Sequence, residues 1–422
     1  MANTVGSLKA IRNLVVLLLA LPALAASVAR APSAHLATGK IAAVAWPYLP
    51  GSIIPLRIDG FDAPYHATLL GPGRLLPNGA YQIPDGAING SALLVAGNTA
   101  GLAATNLRIG TPPHAGQSFL VVASYDDGLV FHNADFSVRG VLATEGTPSD
   151  TAIDGLGRIA VTDTQGSTLT VARLSPWSVA RINGVMLGDE MTIDATTHAI
   201  FVTDRDADGS GGLTRVSLDG TVTRVATGST AEGLAVDERR QLVYVANAND
   251  GTIAVVDARS MRVVRRFRAV SRIFSLALSN DGRRLYGISN QSAGSPFAAP
   301  GSAVAISLDG RLPRVVMRSG DLTFPIGATL DSTSRTLFVT DEEVGLVYVL
   351  DAATLRPKHA PLLTCSTPWK PLFDAADQRL YVPCAGANAI DVFDARTLHR
   401  IPRAPFATGS YPLAVAVWHP NK

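Results

Sequence analysis

The chain has 422 residues, of which 47% are hydrophobic and 17% charged, too apolar and too weakly charged for a disordered chain. Lys and Arg number 36 against 34 Asp and Glu, with no long basic run, so nothing marks a nucleic-acid partner. Two cysteines exclude a disulfide-dense scaffold and a four-cysteine metal site, and the lack of CxxCH excludes an attached c-type haem.

Lys9 and Arg12 precede an apolar run from Leu14 to Ala25 that ends in small residues. Residues 1–25 therefore read as a signal peptide, which implies a secreted or periplasmic protein with no membrane span in the mature chain. Residues 40–110 contain IPLRIDGF (54–61), YHATLLGPG (65–73), GAYQIP (79–84), SALLVAGN (91–98) and TNLRIG (105–110), separated by Gly, Pro and Asn turns. They fit a small immunoglobulin-like β-sandwich, or else an irregular β extension packed on the C-terminal three quarters of the chain.

From residue 117 a repeat takes over. FLVVAS, RIAVTD, AIFVTD, LVYVAN, RLYGIS, TLFVTD and RLYVPC recur, anchored on Val122, Val161, Val202, Val245, Ile288, Val339 and Val382. The intervals are 39, 41, 43, 43, 51 and 43 residues, close to the period of a four-stranded propeller blade. Each unit has an apolar strand before the anchor and a third strand ending in a turn, as in VVDARSM (255–261), VLDAATL (349–355) and VFDARTL (392–398). The first unit lacks its leading strand, and YPLAVAVW (411–418) is a spare one. The expected fold is all-β: a seven-bladed β-propeller over 117–419, closed by that C-terminal strand and preceded by the sandwich-like region.

LVYVANANDGTIAVVDARSM (242–261) and RLYVPCAGANAIDVFDARTL (379–398) resemble the YVTN/NHL group of seven-bladed propellers. The resemblance implies the fold, and many members are secreted. It does not imply one activity, since such propellers serve as binding platforms, enzymes and subunits of complexes.

Four groups of residues carry candidate chemistry. First, the loops between second and third strands collect Asp126, Asp127, Asp163, Asp204, Asp206, Asp208, Asp250, Asp341, Glu342 and Glu343, which makes one acidic face. Such a face suits a protein, peptide or small-molecule partner, or it is simply solvated. Second, Asp204, Asp206 and Asp208 in DRDADGSGG alternate ahead of Gly209. That is a partial calcium loop without the acids at its ninth and twelfth positions; the alternative is an ion-free turn. Third, Asp150, Glu190 and Glu232 stand four or five residues before the first-hairpin aspartates, so they converge on the inner mouth. Arg272, Trp369, Lys370 and Tyr411 are expected opposite them, as a ligand site or as compensating salt bridges. Fourth, folding the hairpin around 374–378 sets Cys384 opposite about residue 368, so a Cys365–Cys384 disulfide is expected in an oxidising compartment.

There is no HExxH, GxSxG or P-loop, hence no nucleotide site. Sugar-lactonase-like propellers hold a metal at the mouth, but their full motif is absent here. Streptogramin-lyase-like propellers use a mouth histidine, whereas His198, His359 and His399 fall near turns of the other face and His419 near the C-terminus. Two functions lead, a secreted binding or scaffold propeller or a metal-dependent lactonase, hydrolase or lyase using Asp150, Glu190 and Glu232; a third is a periplasmic subunit of a redox complex, for which the sequence supplies no cofactor ligands of its own.

Overall fold

The computed structural model describes residues 33–36, 46–59, 66–87, 89–98, 101–205, 209–290, 300–310 and 312–420. The expected signal peptide and the residues Asp206 and Asp208 lie outside the described residues. Among the described residues no helix is long and apolar enough to cross a membrane.

Among the described residues, seven four-stranded antiparallel sheets succeed one another. The recurring apolar hexamers are the second strand of each sheet. Phe119–Ser124, Arg158–Asp163 and Thr336–Asp341 are buried at every position. A strand covered on both faces has no solvent side, so it reads as an unbroken apolar run rather than an alternation. Seven apolar clusters fill the gaps between neighbouring sheets. Val171 packs with Met191 and Val202, Phe201 with Val245, and Val339 with Ile288. Each sheet thus buries both faces against its two neighbours.

The Asp-Ala-x-x-Met/Leu signature is a turn. Asp257, Asp351 and Asp394 each accept, through Oδ1, the backbone N–H three residues on, at 2.7, 2.9 and 2.7 Å. Met261, Leu355 and Leu398 then close the turn in the left-handed region, with φ of 52°, 56° and 61°. Asp is chosen there because its side chain replaces a missing backbone acceptor.

The ring closes through the C-terminus. Pro412–Trp418 pairs antiparallel with Phe119–Ser124, with Val415 opposite Val122. It becomes the innermost strand of sheet 1, as the spare strand suggested. The other innermost strands are Pro148–Ile153, Met191–Ile193, Ala231–Asp237, Ile273–Leu278, Pro325–Asp331 and Leu372–Asp374, in sheets 2 to 7. Each touches the next, and Pro412–Trp418 touches both Leu372–Asp374 and Pro148–Ile153. No edge is left facing the axis.

Among the described residues N-terminal to the seven sheets are two small three-stranded sheets and one two-stranded sheet, in which Ser33–Leu36 pairs with Leu56–Asp59. Leu49 N donates to Val141 O at 2.7 Å and Val141 N to Pro47 O at 3.0 Å, so this segment runs along the outer edge of sheet 1. Gly140 is required for it, because a Cβ there would lie 2.8 Å from Pro47 O. Trp177 Nε1 and Arg181 Nη2, on sheet 2, donate to Pro50 O and Gly51 O at 3.0 and 2.9 Å. Tyr48, Ile54, Tyr81 and Ile83 share one core with Val122 of sheet 1 and Tyr381 of sheet 7. Cys365 and Cys384 are bonded, with Cα atoms 5.7 Å apart, and Pro368 bridges Cys384.

Candidate functional site

A cavity of about 750 Å³ opens at one end of the axis. One side chain per sheet builds its floor: Asp150, Glu190, Glu232, Phe274, Ile326, Lys370 and Leu413, from sheets 2, 3, 4, 5, 6, 7 and 1. Five of them have a common local cause. The ladder slips between Pro148 and Thr151, Ala231 and Leu234, Ile273 and Ser275, Pro325 and Gly327, and Pro412 and Ala414. Such a bulge leaves a residue without a partner and re-aims its side chain. Asp150, Glu232, Phe274, Ile326 and Leu413 lie at these slips, and all five line the axial cavity. Glu190 and Lys370 come from the segments just before the innermost strands of sheets 3 and 7.

The ring is uneven. Asp150, Glu190 and Glu232 form an acidic arc on sheets 2 to 4; Phe274, Ile326 and Leu413 are the apolar members of the ring, with Lys370 on sheet 7 between Ile326 and Leu413. Lys370 does not face the acids across the mouth. Its Nζ lies 2.5 Å from Asp150 Oδ2 and 3.7 Å from Glu190 Oε1. Asp150 also accepts Thr151 N–H and Met191 N–H, both at 2.8 Å, and Glu190 Oε2 accepts Leu234 N–H at 2.9 Å. Arg205 bridges Asp189 and Glu232 at 3.4 and 3.5 Å. Burial, helped by Asp150 and Asp189 and opposed by Lys370, pushes Glu190 up to about 8. Burial, then the neighbouring Asp189, also pushes Glu232 well above the usual carboxyl range. Burial opposes the Lys370 ammonium, yet Asp150 and Glu190 hold it above the usual lysine range.

Tyr411 and Trp369 line the same cavity. Tyr411 meets Tyr125 edge-on, ring centroids 6.1 Å apart, and Asp126 accepts Ser410 Oγ–H at 2.8 Å beside them. Arg272 is outside the lining: its Nε donates to Asn290 O at 2.8 Å and its guanidinium lies 5.3 Å from the centre of the Phe274 ring. It backs the wall instead of facing a ligand. Phe274, Ile326 and Leu413 escaped the sequence reading because apolar residues in an apolar repeat carry no contrast. The offset that exposed Glu232 before Asp237 also exposes Ile326 before Asp331.

The acidic loop face is weaker than its sequence count. Asp127, Asp163, Asp204 and Asp341 are buried. Asp163 Oδ1 accepts Thr147 N–H and Gln165 N–H at 3.0 Å each, and Asp341 Oδ2 accepts Phe324 N–H at 2.9 Å. Asp204 pairs with Arg224 Nε at 2.7 Å and accepts Thr214 Oγ1–H. Gly212 leaves room for this pair, since a Cβ would come within 2.6 Å of Asp204 Oδ1. Asp204 therefore does not fit the ligand role expected in a calcium loop. Arg158 is likewise buried, its guanidinium 2.6 Å from Asp154.

One further group was not foreseen. Asp374, Asp377 and His419 bring one ligand atom each within 4.8 Å of one another, and His419 Nε2 lies 2.7 Å from Asp374 Oδ2. His419 comes just after the closing strand and Asp374 ends the innermost strand of sheet 7, so the pair joins the two sides of the ring seam.

The sequence matches no family model and no curated protein. Its fold does find solved structures. A functionally unknown protein from Desulfotomaculum acetoxidans aligns at TM-score 0.58 and 15% identity, over 72% of this chain and 99% of that one. The β-propeller domain of Cps50 from Myceliophteria thermophila aligns at 0.53 and 11%, over 65% and 93%. This chain is a β-propeller. A streptogramin B lyase aligns with the propeller at 0.53 and 12%, over 72% and 93%. At these identities the likeness is one of fold.

Proposed function

We propose that this propeller is a seven-bladed, YVTN/NHL-like binding protein of the secreted or periplasmic space, and that its ligand is a small molecule held in the axial funnel. The observation that carries this reading is the place of Lys370. Its ammonium sits against Asp150 and Glu190, the position a metal shared by those carboxylates would take. Lys370 thereby offsets part of the acidic arc, and the aromatic and apolar side chains beside it offer burial and orientation, as ligand pockets do. The disulfide agrees with an oxidising compartment. The region 40–110, whose Leu49 and Gly51 bond to the outer edges of sheets 1 and 2, is proposed as an immunoglobulin-like accessory region.

The test is a fragment screen on the secreted protein by ligand-observed NMR, repeated on Tyr411→Ala and Trp369→Leu. Hits that weaken in both variants support funnel binding. Hits indifferent to both would place the ligand elsewhere.

A second reading is favoured by Glu190. Its elevated pKa keeps it protonated at neutral pH, which suits a general acid of a hydrolase or lyase. Turnover in a lactone and ester screen, abolished by Glu190→Gln, would install that reading in place of the first.

A further inference from the structure

The funnel lining contains Asp126, Asp150, Asp189, Glu190 and Glu232 but only Arg205 and Lys370 as permanent cations. Both cations are already engaged, Lys370 by Asp150 and Glu190, and Arg205 by Asp189 and Glu232. The lining is short of positive charge and has none to spare for an anion. Beside this arc, Phe274 and Ile326 give an apolar wall on sheets 5 and 6, Leu413 adds an apolar side chain on sheet 1 beyond Lys370, and Tyr125, Trp369 and Tyr411 line the same cavity.

We infer that the funnel takes an amphiphilic ammonium compound, with its cationic head on the acidic arc among the aromatic rings and its hydrocarbon part on Phe274, Ile326 and Leu413. The inference rests on the binding function proposed above and names the ligand class. Aromatic faces attract weakly hydrated organic cations, and more strongly when water is excluded. A divalent metal ion fits less well. It demands oxygens and keeps much of its water, whereas Asp150 already accepts two backbone N–H groups and the Lys370 ammonium. A cavity of about 750 Å³ is the size of an organic ligand pocket.

Binding such a head also displaces protons. Glu190 faces Asp150 on sheet 2, Asp189 on its own segment, Lys370 before sheet 7, Leu234 N–H on sheet 4, and the Glu232 and Arg205 pair beyond. Protons now compensate part of the excess acid there. A fixed positive charge takes over that role, so affinity rises with pH as those protons become easier to release.

The experiment is calorimetric titration of the secreted protein with hexyltrimethylammonium, which carries no titratable proton, beside hexan-1-ol and hexanoate. The ammonium probe is expected to bind about tenfold or more tightly than either. Buffers of different ionisation enthalpy are expected to show protons released on binding, and affinity is expected to climb from pH 6.5 to pH 9. Glu190→Gln should weaken the ammonium probe and flatten its pH dependence. Tyr411→Leu, at an exposed rim position where folding is not at stake, should weaken it without changing that dependence. Equal or tighter binding of hexanol or hexanoate, with loss in Tyr411→Leu, would overturn the ligand class and leave the binding function standing. Silence of all three probes, with funnel hits still found in the fragment screen, would do the same. Loss of ammonium binding on adding calcium or zinc would favour a metal in its place.

Discussion

The acidic and the apolar members of the axial ring are built on one backbone plan and do opposite things. Asp150 and Glu232 sit at bulges like those of Phe274, Ile326 and Leu413, at equivalent places in neighbouring sheets. In one group the bulge delivers carboxylates that need Lys370 and Arg205. In the other it delivers side chains that need only to be covered. Position in the fold therefore sets where a side chain goes, and the residue type alone sets what the site costs in stability and what it can bind.

Removing residues 410–422 tests whether both groups depend on closure. It takes Leu413 and Tyr411 from the funnel and strips the inner edge of Phe119–Ser124. The truncated chain is expected to lose its cooperative melting transition in calorimetry; an unchanged transition would break the closed-ring account.

Lys370→Met should come next, because it removes the shared counter-ion of Asp150 and Glu190 while nearly keeping volume. The side chain is 30% exposed, so the loss should fall below that of a fully buried pair, about 1–3 kcal/mol in urea unfolding at pH 7. Phe274→Ala removes a half-buried ring from the apolar group. It should cost about 1–2 kcal/mol and weaken alkyl-bearing ligands without altering any pH profile.

The pH dependence sharpens the contrast further. Glu190 has a folded pKa of about 8 against an ordinary 4.5, so the folded state holds the extra proton. Its stabilising contribution is complete below about 4.5 and is lost as pH rises through about 8. Melting temperature should accordingly fall between pH 5 and pH 8.5, and Glu190→Gln should flatten that slope. A parent and variant with parallel profiles would remove Glu190 as the cause.

The smallest effect is expected at the partial calcium loop. With Asp204 engaged by Arg224, only Asp206 and Asp208 remain as carboxylates there, and two acids bind calcium weakly. Asp206→Ala should shift the calcium-dependent melting temperature by a degree or less, read by scanning calorimetry with and without millimolar calcium.

Much of this architecture is legible in the sequence because the repeat is periodic. Aligned units place the second strands, the closing strand, Asp150, Glu190 and Glu232, and the cysteine pair. Charge signs are visible; charge destinations are not. Asp163 and Asp341 end their strands and Asp204 stands one residue before the end of its own; all three are buried, where loop N–H groups or a guanidinium meet them. The sequence leaves Lys370 either facing the acids or bridged to them; in the fold it lies on Asp150 and Glu190, because sheets 7 and 2 both flank sheet 1 and a long side chain spans that gap. The apolar group was hidden because Phe274, Ile326 and Leu413 look like core.

The bulges have one more consequence. A residue that lies outside ladder register contributes little to the hydrogen-bond pattern that holds its sheet. Its identity can change while the neighbouring strands keep their pairing. Positions 274, 326 and 413 thus behave as interchangeable sockets on a fixed frame, whereas Asp150 also accepts Met191 N–H of the next sheet and is tied to that frame. Randomising them together would generate a family of receptors with different ligand preferences and one common architecture, provided each carboxylate keeps its cation.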